Sequence, residues 1–452
     1  MVTRSVAASR GIIDLRIIAA DGEGQRIEFK AKPSGLAREM VAFANASGGS
    51  IFIGIADDGT IIGVQDSNRL RSEIQAVANA CDPRVPIRIL PRGSCLEIAV
   101  SEGADKPYRC SEGFFLRIGP NSQQLTRDEI LAFAIKGGKV RFDEQFVSEC
   151  DPAKHLDPLA VDAFRRQRKL PRTTKSADLL VSLGIAQYQA GRPILTRAAL
   201  LFFGRDPQRI FREAYVTCAR YADATRASVV DRIDAGGNLL QQFKEAAAFI
   251  QRNLPTGYRI ETLGPRQETL RIPEPALREA LLNALAHRDY FADAEHAFVH
   301  VHPDRVVITN PGGLPPGLTL QDLGTRAVPR NRLIADLFYR MGYVERLGSG
   351  IHRMRQAMAQ AELPPPLFHP TDDAFRVTFS TSWQTLGLSS QEAATAQWLA
   401  ARGVGTASEL ASQLKVSSDT ARRILARLAA RGWVQTKGKR RGAAYIWVGV
   451  AS

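Results

Sequence analysis

The chain has no run of about 18 apolar residues, the length a membrane-spanning helix needs, so no span is expected. Paired cysteines are missing too. The five present (Cys81, Cys95, Cys110, Cys150 and Cys218) are odd in number and widely spaced, with no CxxC pair. That argues against a disulfide framework or a zinc site and fits the thiols of a reducing cytoplasm. The first 25 residues carry an early Arg, and their apolar part is broken by Asp14 and Arg16, so they do not read as a signal peptide. No repeat recurs at a fixed period, and the only low-complexity feature is the proline run Pro364, Pro365 and Pro366. Histidine is scarce: His300 and His302 alternate along one strand pattern with no carboxylate or cysteine at matching spacing, so no metal is expected there.

What is present is a chain of 452 residues, 44% hydrophobic and 7% aromatic, enough for roughly two to four domains with their own cores. Positive charge is in excess. The 60 Lys/Arg against 46 Asp/Glu give a net +14, which makes a polyanion a reasonable partner. Residues 401–452 hold ten Lys/Arg and only two Asp/Glu, so more than half of the excess sits in that segment. A general compositional bias toward basic residues is the plainer explanation.

The pattern divides the chain into residues 1–136, a connector at 137–275, a segment at 276–362, a stiff extended linker at 363–387 and a final domain at 388–452. The fold class expected is α+β multidomain. In the first part, LAREMVAFANAS has helical spacing and ends at Gly48-Gly49, while SIFIGIADDGTIIGV reads as a hairpin of two strands around Asp-Asp-Gly. From residue 388, three short helices are followed by a strand, a basic tip and a second strand, the layout of a winged helix-turn-helix. The helix pair falls at Ala407 to Leu414 and Ser418 to Ala430, with Ser417 or Ser418 as N-cap. Leu410, Leu414, Ile424, Leu425 and Leu428 supply the apolar faces. Thr420, Arg422, Arg423 and Arg427 then face a DNA duplex, and Lys437, Lys439, Arg440 and Arg441 lie at the tip where phosphates are in reach. A helical dimerisation module with a solvated basic face is the alternative.

The stretch REALLNALAHRDY, residues 278–290, is a helix with two faces. Leu281, Leu282 and Leu285 form an apolar stripe, while Glu279, Asn283 and His287 stack at i, i+4 and i+8 on another side. A carboxylate there can take a proton from water, and an amide oxygen can hold Mg²⁺ against phosphates. Phosphates need glycine-rich backbone nearby, and two such places follow, at Asn310-Pro-Gly-Gly and at Glu345-Arg-Leu-Gly-Ser-Gly. Read one by one, the same residues also suit an exposed helix face and ordinary turns.

EALLNALAHRDY, ITNPGGLPPGLT and RNRLIADLFYRMGYVERLGSGI, in that order, resemble the divergent GHKL-type ATP-binding domain of bacterial regulators. That α/β sandwich is shared by gyrase B subunits, ninety-kilodalton heat-shock chaperones, mismatch-repair ATPases and histidine kinases. The resemblance implies ATP and Mg²⁺ as ligands. It makes Glu279 the general base and Asn283 the Mg²⁺ ligand, Gly312 and Gly313 the glycines beside adenine, and Gly348 and Gly350 those beside phosphate. Most of that family has Asp where Asn310 stands, and an amide accepts the adenine amino proton without charge.

Glu23-Gly-Gln-Arg-Ile-Glu28-Phe-Lys30, the helix ending VAFANASGG and IFIGIADDGTIIG together resemble the Schlafen-type, or Alba-like, DNA-binding domain. In RNA-cutting Schlafen proteins three carboxylates occupy this core, and the matching positions here are Glu23, Glu28 and Asp57. Gathered at one point, three carboxylates need a divalent cation, which could activate water at a phosphodiester. Lys30 either steadies a phosphate or pairs with Glu28. The spacing equally suits Glu28 and Lys30 on an exposed strand face, with Asp57 and Asp58 building a turn. Taken together, these readings imply a cytoplasmic, ATP-binding, DNA-binding transcriptional regulator, with a homodimer as its expected form. The alternative is an ATP-controlled, metal-dependent nuclease acting on RNA or DNA, in defence.

Overall fold

The computed structural model describes Leu15 and residues 18–19, 22–147, 150–171, 173–254, 256–259, 267–344, 349–438 and 443–448. Two compact units result, Met1–Val140 and Arg141–Ser452.

In the first unit, β1 (Ile27–Lys30) lies parallel to β2 (Gly49–Ile53), and β3 (Ile87–Arg92) and β4 (Cys95–Val100) complete a sheet in the order β1-β2-β4-β3. Helix α1 (Leu36–Asn45) forms between β1 and β2. Its Leu36, Met40, Val41 and Phe43 enter a core with Ile51, Ile53, Leu96 and Ile98. Strand β5 (Gly113–Ile118) packs across α1. The hairpin expected over SIFIGIADDGTIIGV does not form as two strands. The antiparallel partner of β2 is β4, while the second half of the stretch contributes an isolated bridge, Ile55 to Ile61. Two glycines cause this: Gly54 has φ 97°, and a Cβ on it would stand 2.8 Å from the Gly63 backbone. The chain doubles back there too tightly for a ladder, with both Ile62 and Gly63 donating to the Gly54 carbonyl.

In the second unit a six-stranded sheet dominates, built from β6 (Val216–Tyr221), β7 (Val229–Ala235), β8 (Ala297–Val301), β9 (Arg305–Pro311), β10 (Leu367–Pro370) and β11 (Ala374–Ser380). Its order is β7-β6-β8-β9-β11-β10. The sheet crosses both boundaries drawn at 276 and 362. It takes β6 and β7 from the expected connector and β10 and β11 from the expected linker. Three prolines do precede β10, but LFHP that follows pairs with AFRVTFS, and AFRVTFS pairs with β9. One face of the sheet is covered by α2 (Leu239–Asn253), α3 (Glu274–His287), α4 (Arg332–Arg340) and α5 (Gly350–Gln360), whose apolar sides share its core.

Helix α3 carries the two-faced pattern. Leu281, Leu282 and Leu285 are at most 1% exposed, and burial of this kind contributes about 1.5–3 kcal/mol per side chain. Its last carbonyls are satisfied from a distance, since Asn331 Nδ2 donates to Ala286 O at 3.0 Å and Arg288 O at 2.8 Å. Helix α4 begins with the same device reversed: the buried Asp143 carboxylate accepts the amides of Leu333 and Ile334. Burial raises the Asp143 pKa to about 6 despite those two bonds.

The C-terminal helices α6 (Ser390–Arg402), α7 (Ala407–Leu414) and α8 (Ser418–Ala430) pack with a sheet of β12 (Val404–Thr406), β13 (Val434–Lys437) and β14 (Ala444–Trp447), ordered β12-β14-β13. Ser417 is the N-cap of α8, its hydroxyl accepting the Thr420 amide at 3.2 Å. Leu410, Ile424, Leu425, Leu428 and the stacked Trp433 and Trp447 form the core.

Candidate functional site: a cavity between helix α3 and the sheet

Glu279, Asn283 and His287 open onto a cavity of about 720 Å³. Its opposite wall is the sheet's inner face, with Ile308, Asn310, Phe368, Phe375 and Val377, and its sides come from α4 and the start of α5. Gly312, Gly313 and Gly350 line it as well. Six of the seven candidate nucleotide-site residues are therefore brought together from three separate stretches. The seventh, Gly348, lies outside the described residues.

Glu279 is 6% exposed. Its Oε2 accepts Arg353 Nη2 at 2.7 Å, and its Oε1 faces Asn283 Nδ2 at 3.4 Å. Gly350 sits against this carboxylate, and a Cβ there would lie 2.0 Å from Oε1. The glycine at the start of α5 thus lets helix and acid touch. Because Asn283 turns Nδ2 toward Glu279, its Oδ1 is left as the ligand atom. An amide oxygen is a hard donor of the kind Mg²⁺ takes in small number beside phosphates, so Asn283 Oδ1 fits that ion.

At the other end Asn310, 5% exposed, donates from Nδ2 to Pro311 O at 3.3 Å, leaving Oδ1 as its acceptor. The neighbouring glycines answer first to the protein's own packing. Gly312 has φ 92°, and a Cβ there would stand 2.7 Å from Asp289 Cβ; at Gly313 it would stand 2.0 Å from Thr371 O. Arg330 ties this corner together, bonding Asp289 at 3.2 Å and Gly313 O at 2.7 Å. His287, the third member of the helix column, faces the same space. Burial lowers its pKa to about 4, with the charge of Arg330 acting in the same direction, so it is neutral at pH 7. Sequence reasoning missed Arg353, Arg330 and Asn331. Of these only Arg353 left a signal, one turn beyond Gly350 on the same helix.

In the first unit Glu28 is 5% exposed and Glu39 1%, and Arg117, 2% exposed, lies between them. Arg117 Nη1 is 2.6 Å from Glu28 and 3.5 Å from Glu39. Its other nitrogens donate to Gly24 O and Ile27 O, and the guanidinium lies 4.9 Å over the Phe43 ring. Lys30 bonds the second oxygen of Glu28. Burial would depress the Lys30 pKa, but that bond and the charges of Glu28, Glu39 and Glu23 raise it. Glu23 accepts the Phe29 amide at 2.8 Å. Its own pKa is raised, chiefly by burial and further by Glu28 and Asp57. Glu23 therefore lies near enough to feel the other two expected carboxylates, but both oxygens of Glu28 are engaged by the chain's own cations, and Asp57 is exposed. Among the described residues no group of three or more His, Cys, Asp or Glu is placed to hold a metal.

On the winged helix Arg422, Arg423 and Arg427 are exposed along α8, and Lys437 is exposed at the end of β13. Thr420 Oγ1 bonds the N-cap Ser417 at 2.9 Å, and Arg422 pairs with Asp419 at 2.8 Å. Lys439, Arg440 and Arg441 lie outside the described residues.

Three family models match successive parts of the chain. Residues 23–126 match the Schlafen AlbA_2 family model, residues 295–379 match HATPase_c_4, the recG C-terminal model, and residues 384–447 match the sugar-specific transcriptional regulator TrmB. The chain joins Schlafen-type, HATPase-type and TrmB-type domains. The HATPase-type match contains Asn310, Gly312 and Gly313, while Glu279 and Asn283 precede it. These are domains of ATP-binding and DNA-binding regulator-like proteins. Among solved structures, the DIP2311 protein from Corynebacterium diphtheriae is 20% identical, covering 96% of each chain with a TM-score of 0.48. No curated protein matches. Among the described residues no helix is long and apolar enough to cross a membrane.

Proposed function

We propose that the protein is a transcriptional regulator whose winged helix binds DNA and whose cavity beside α3 binds ATP with Mg²⁺, the nucleotide adjusting nucleic-acid affinity. The observation that carries this reading is the meeting of Glu279, Asn283, Asn310, Gly312, Gly313 and Gly350 around one cavity. Asn310 Oδ1 accepts the adenine amino group, Ile308, Phe375 and Val377 take the flat base, and Asn283 Oδ1 holds the Mg²⁺ that neutralises phosphate charge. Glu279 is the residue to orient water. Its ion pair with Arg353 engages one of its two oxygens, which favours binding over turnover. At the DNA, α8 enters the major groove with Thr420, Arg422, Arg423 and Arg427, while Lys437 approaches the backbone. The Schlafen-type unit adds a second nucleic-acid surface, and the Arg117 pairing favours binding there without cleavage.

Calorimetry with ATP and Mg²⁺ tests the cavity: Asn283→Ala should abolish Mg²⁺-dependent binding, and retained binding would refute the assignment. Fluorescence anisotropy on duplex DNA with and without ATP tests the coupling. Nucleotide must bind one DNA-affinity state better than another, so unchanged DNA affinity at saturating ATP removes the regulatory step.

A further inference from the structure

We infer that strand β7 is a docking edge for a second copy of this chain, paired antiparallel about a two-fold axis at Ile233. β7 ends the six-stranded sheet. Its inner side takes β6, and among the described residues no backbone hydrogen bond reaches its outer side. Such an edge is a ready template for another strand. Val229 and Val230 are each 54% exposed on it.

The register follows from the side chains. An irregularity opposite Arg220 and Tyr221 puts Val230 out of the ladder, so the regular part of β7 is Asp231–Ala235, five residues centred on Ile233. Residues directly opposite in an antiparallel pair share a face, which limits a two-fold pairing to axes that pass through a residue. An axis at Arg232 sets arginine against arginine, and one at Asp234 sets aspartate against aspartate. The axis at Ile233 sets Arg232 against Asp234 of the second copy, and by symmetry does so twice. Asp231 needs no new partner, being held by Asn253 at 2.7 Å and Arg252 at 3.3 Å. Within one chain Asp234 accepts Thr217 Oγ1 at 2.7 Å through Oδ1 and pairs with Arg232 at 3.2 Å, but both charged side chains are about half exposed, and the Thr217 bond can persist while Oδ2 meets the partner's arginine. A surface pair of that kind is worth little and exchanges readily for the partner's.

The charge pattern makes a clean test by sedimentation velocity on the full chain. Wild type should be a dimer at micromolar concentration. Arg232→Glu places Glu against Asp, and Asp234→Arg places Arg against Arg, so each variant alone should be monomeric. Mixed in equal amounts they should dimerise, because both cross-strand pairs are then of opposite charge. The double variant Arg232→Glu, Asp234→Arg should dimerise by itself, which also shows that the strand tolerates both changes. A monomeric wild type, single variants that remain dimeric, or a mixture that stays monomeric would each overturn the assignment. A dimer kept by both single variants would place the interface elsewhere on the molecule.

Discussion

Glu28 and Glu279 are alike in burial, at 5% and 6% exposed, and each is met by one arginine, yet the two sites differ in kind. Around Glu28 the cation is itself sealed: Arg117 is 2% exposed, bound to two backbone carbonyls and laid on Phe43. Around Glu279 the cation is partly wet, the Arg353 side chain being 31% exposed, and the acid borders an open cavity. A carboxylate enclosed with its own counter-charge is part of the core. One that keeps a face toward space is available to a ligand.

Removing the sealed arginine should have the largest effect. Arg117→Met leaves buried Glu28 with Lys30 alone, leaves Glu39 with Lys30, Arg38 and Ser122, and takes from Gly24 O its side-chain donors, a loss of about 3–5 kcal/mol. Urea unfolding of the full chain should show the first unit melting early, and a midpoint equal to wild type would break the contrast. The same variant vacates the space between Glu28 and Glu39. If its unit stays folded, assaying Mn²⁺-dependent cleavage of RNA shows whether the arginine alone keeps the domain a binding module.

Steric closeness distinguishes the cavity's glycines by what each one faces. At Gly313 an added Cβ meets the Thr371 carbonyl, which is fixed in the chain turning into β11, so Gly313→Ala should cost about 1–3 kcal/mol. At Gly350 the obstacle is the Glu279 side chain, which can swing toward the cavity. Gly350→Ala should therefore cost less stability but lower nucleotide affinity. Equal losses of stability at both positions would show that the Glu279 end is as closed as the Glu28 site.

How far the sequence carried depends on distance along the chain. The column of α3, the bounds of α7 and α8 and, to within one residue, the N-cap of α8 rest on spacing within a few residues, and they were legible. The sheet was not, because β6 meets β8 and β9 meets β11 only through pairings that span scores of residues, so boundaries were drawn through it. The same limit hid Arg117, which lies 89 residues from Glu28, and Asp143, which caps α4 from 190 residues away. Glycines were legible as glycines but not in purpose. Gly312 and Gly313 suggested phosphate or base approach, whereas their nearest demands are Asp289, Arg330 and Thr371.

Protonation sharpens the contrast in a pH series. His287 in the cavity wall and His300 on β8 both have pKa values lowered to about 4, mainly by burial. A histidine whose folded pKa lies below its unfolded value of about 6.5 costs nothing above that pH. As pH falls from 6.5 toward 4 the unfolded chain takes the proton first, and stability drops by up to about 1.4 kcal/mol per pH unit for each group. Asp143, raised to about 6, works the other way between pH 6 and its ordinary 3.8, but as one group against two. Unfolding midpoints of the second unit should therefore decline between pH 6.5 and 4.5, and His287→Gln should make that decline shallower. An unchanged slope in the variant would mean that water from the cavity already solvates the ring.

The smallest effect is the most telling for the comparison. Arg353→Met removes the ion pair of Glu279, as Arg117→Met removes that of Glu28, but here the freed carboxylate faces the cavity and can be hydrated. A partly exposed pair contributes about 0–1 kcal/mol, so stability should barely move. The released Oε2 should instead alter ligand binding, with Mg²⁺-dependent ATP affinity shifting while unfolding by urea stays near wild type. A loss comparable to that of Arg117→Met would mean that Glu279 is a buried structural acid like Glu28, and that the cavity beside α3 begins beyond it.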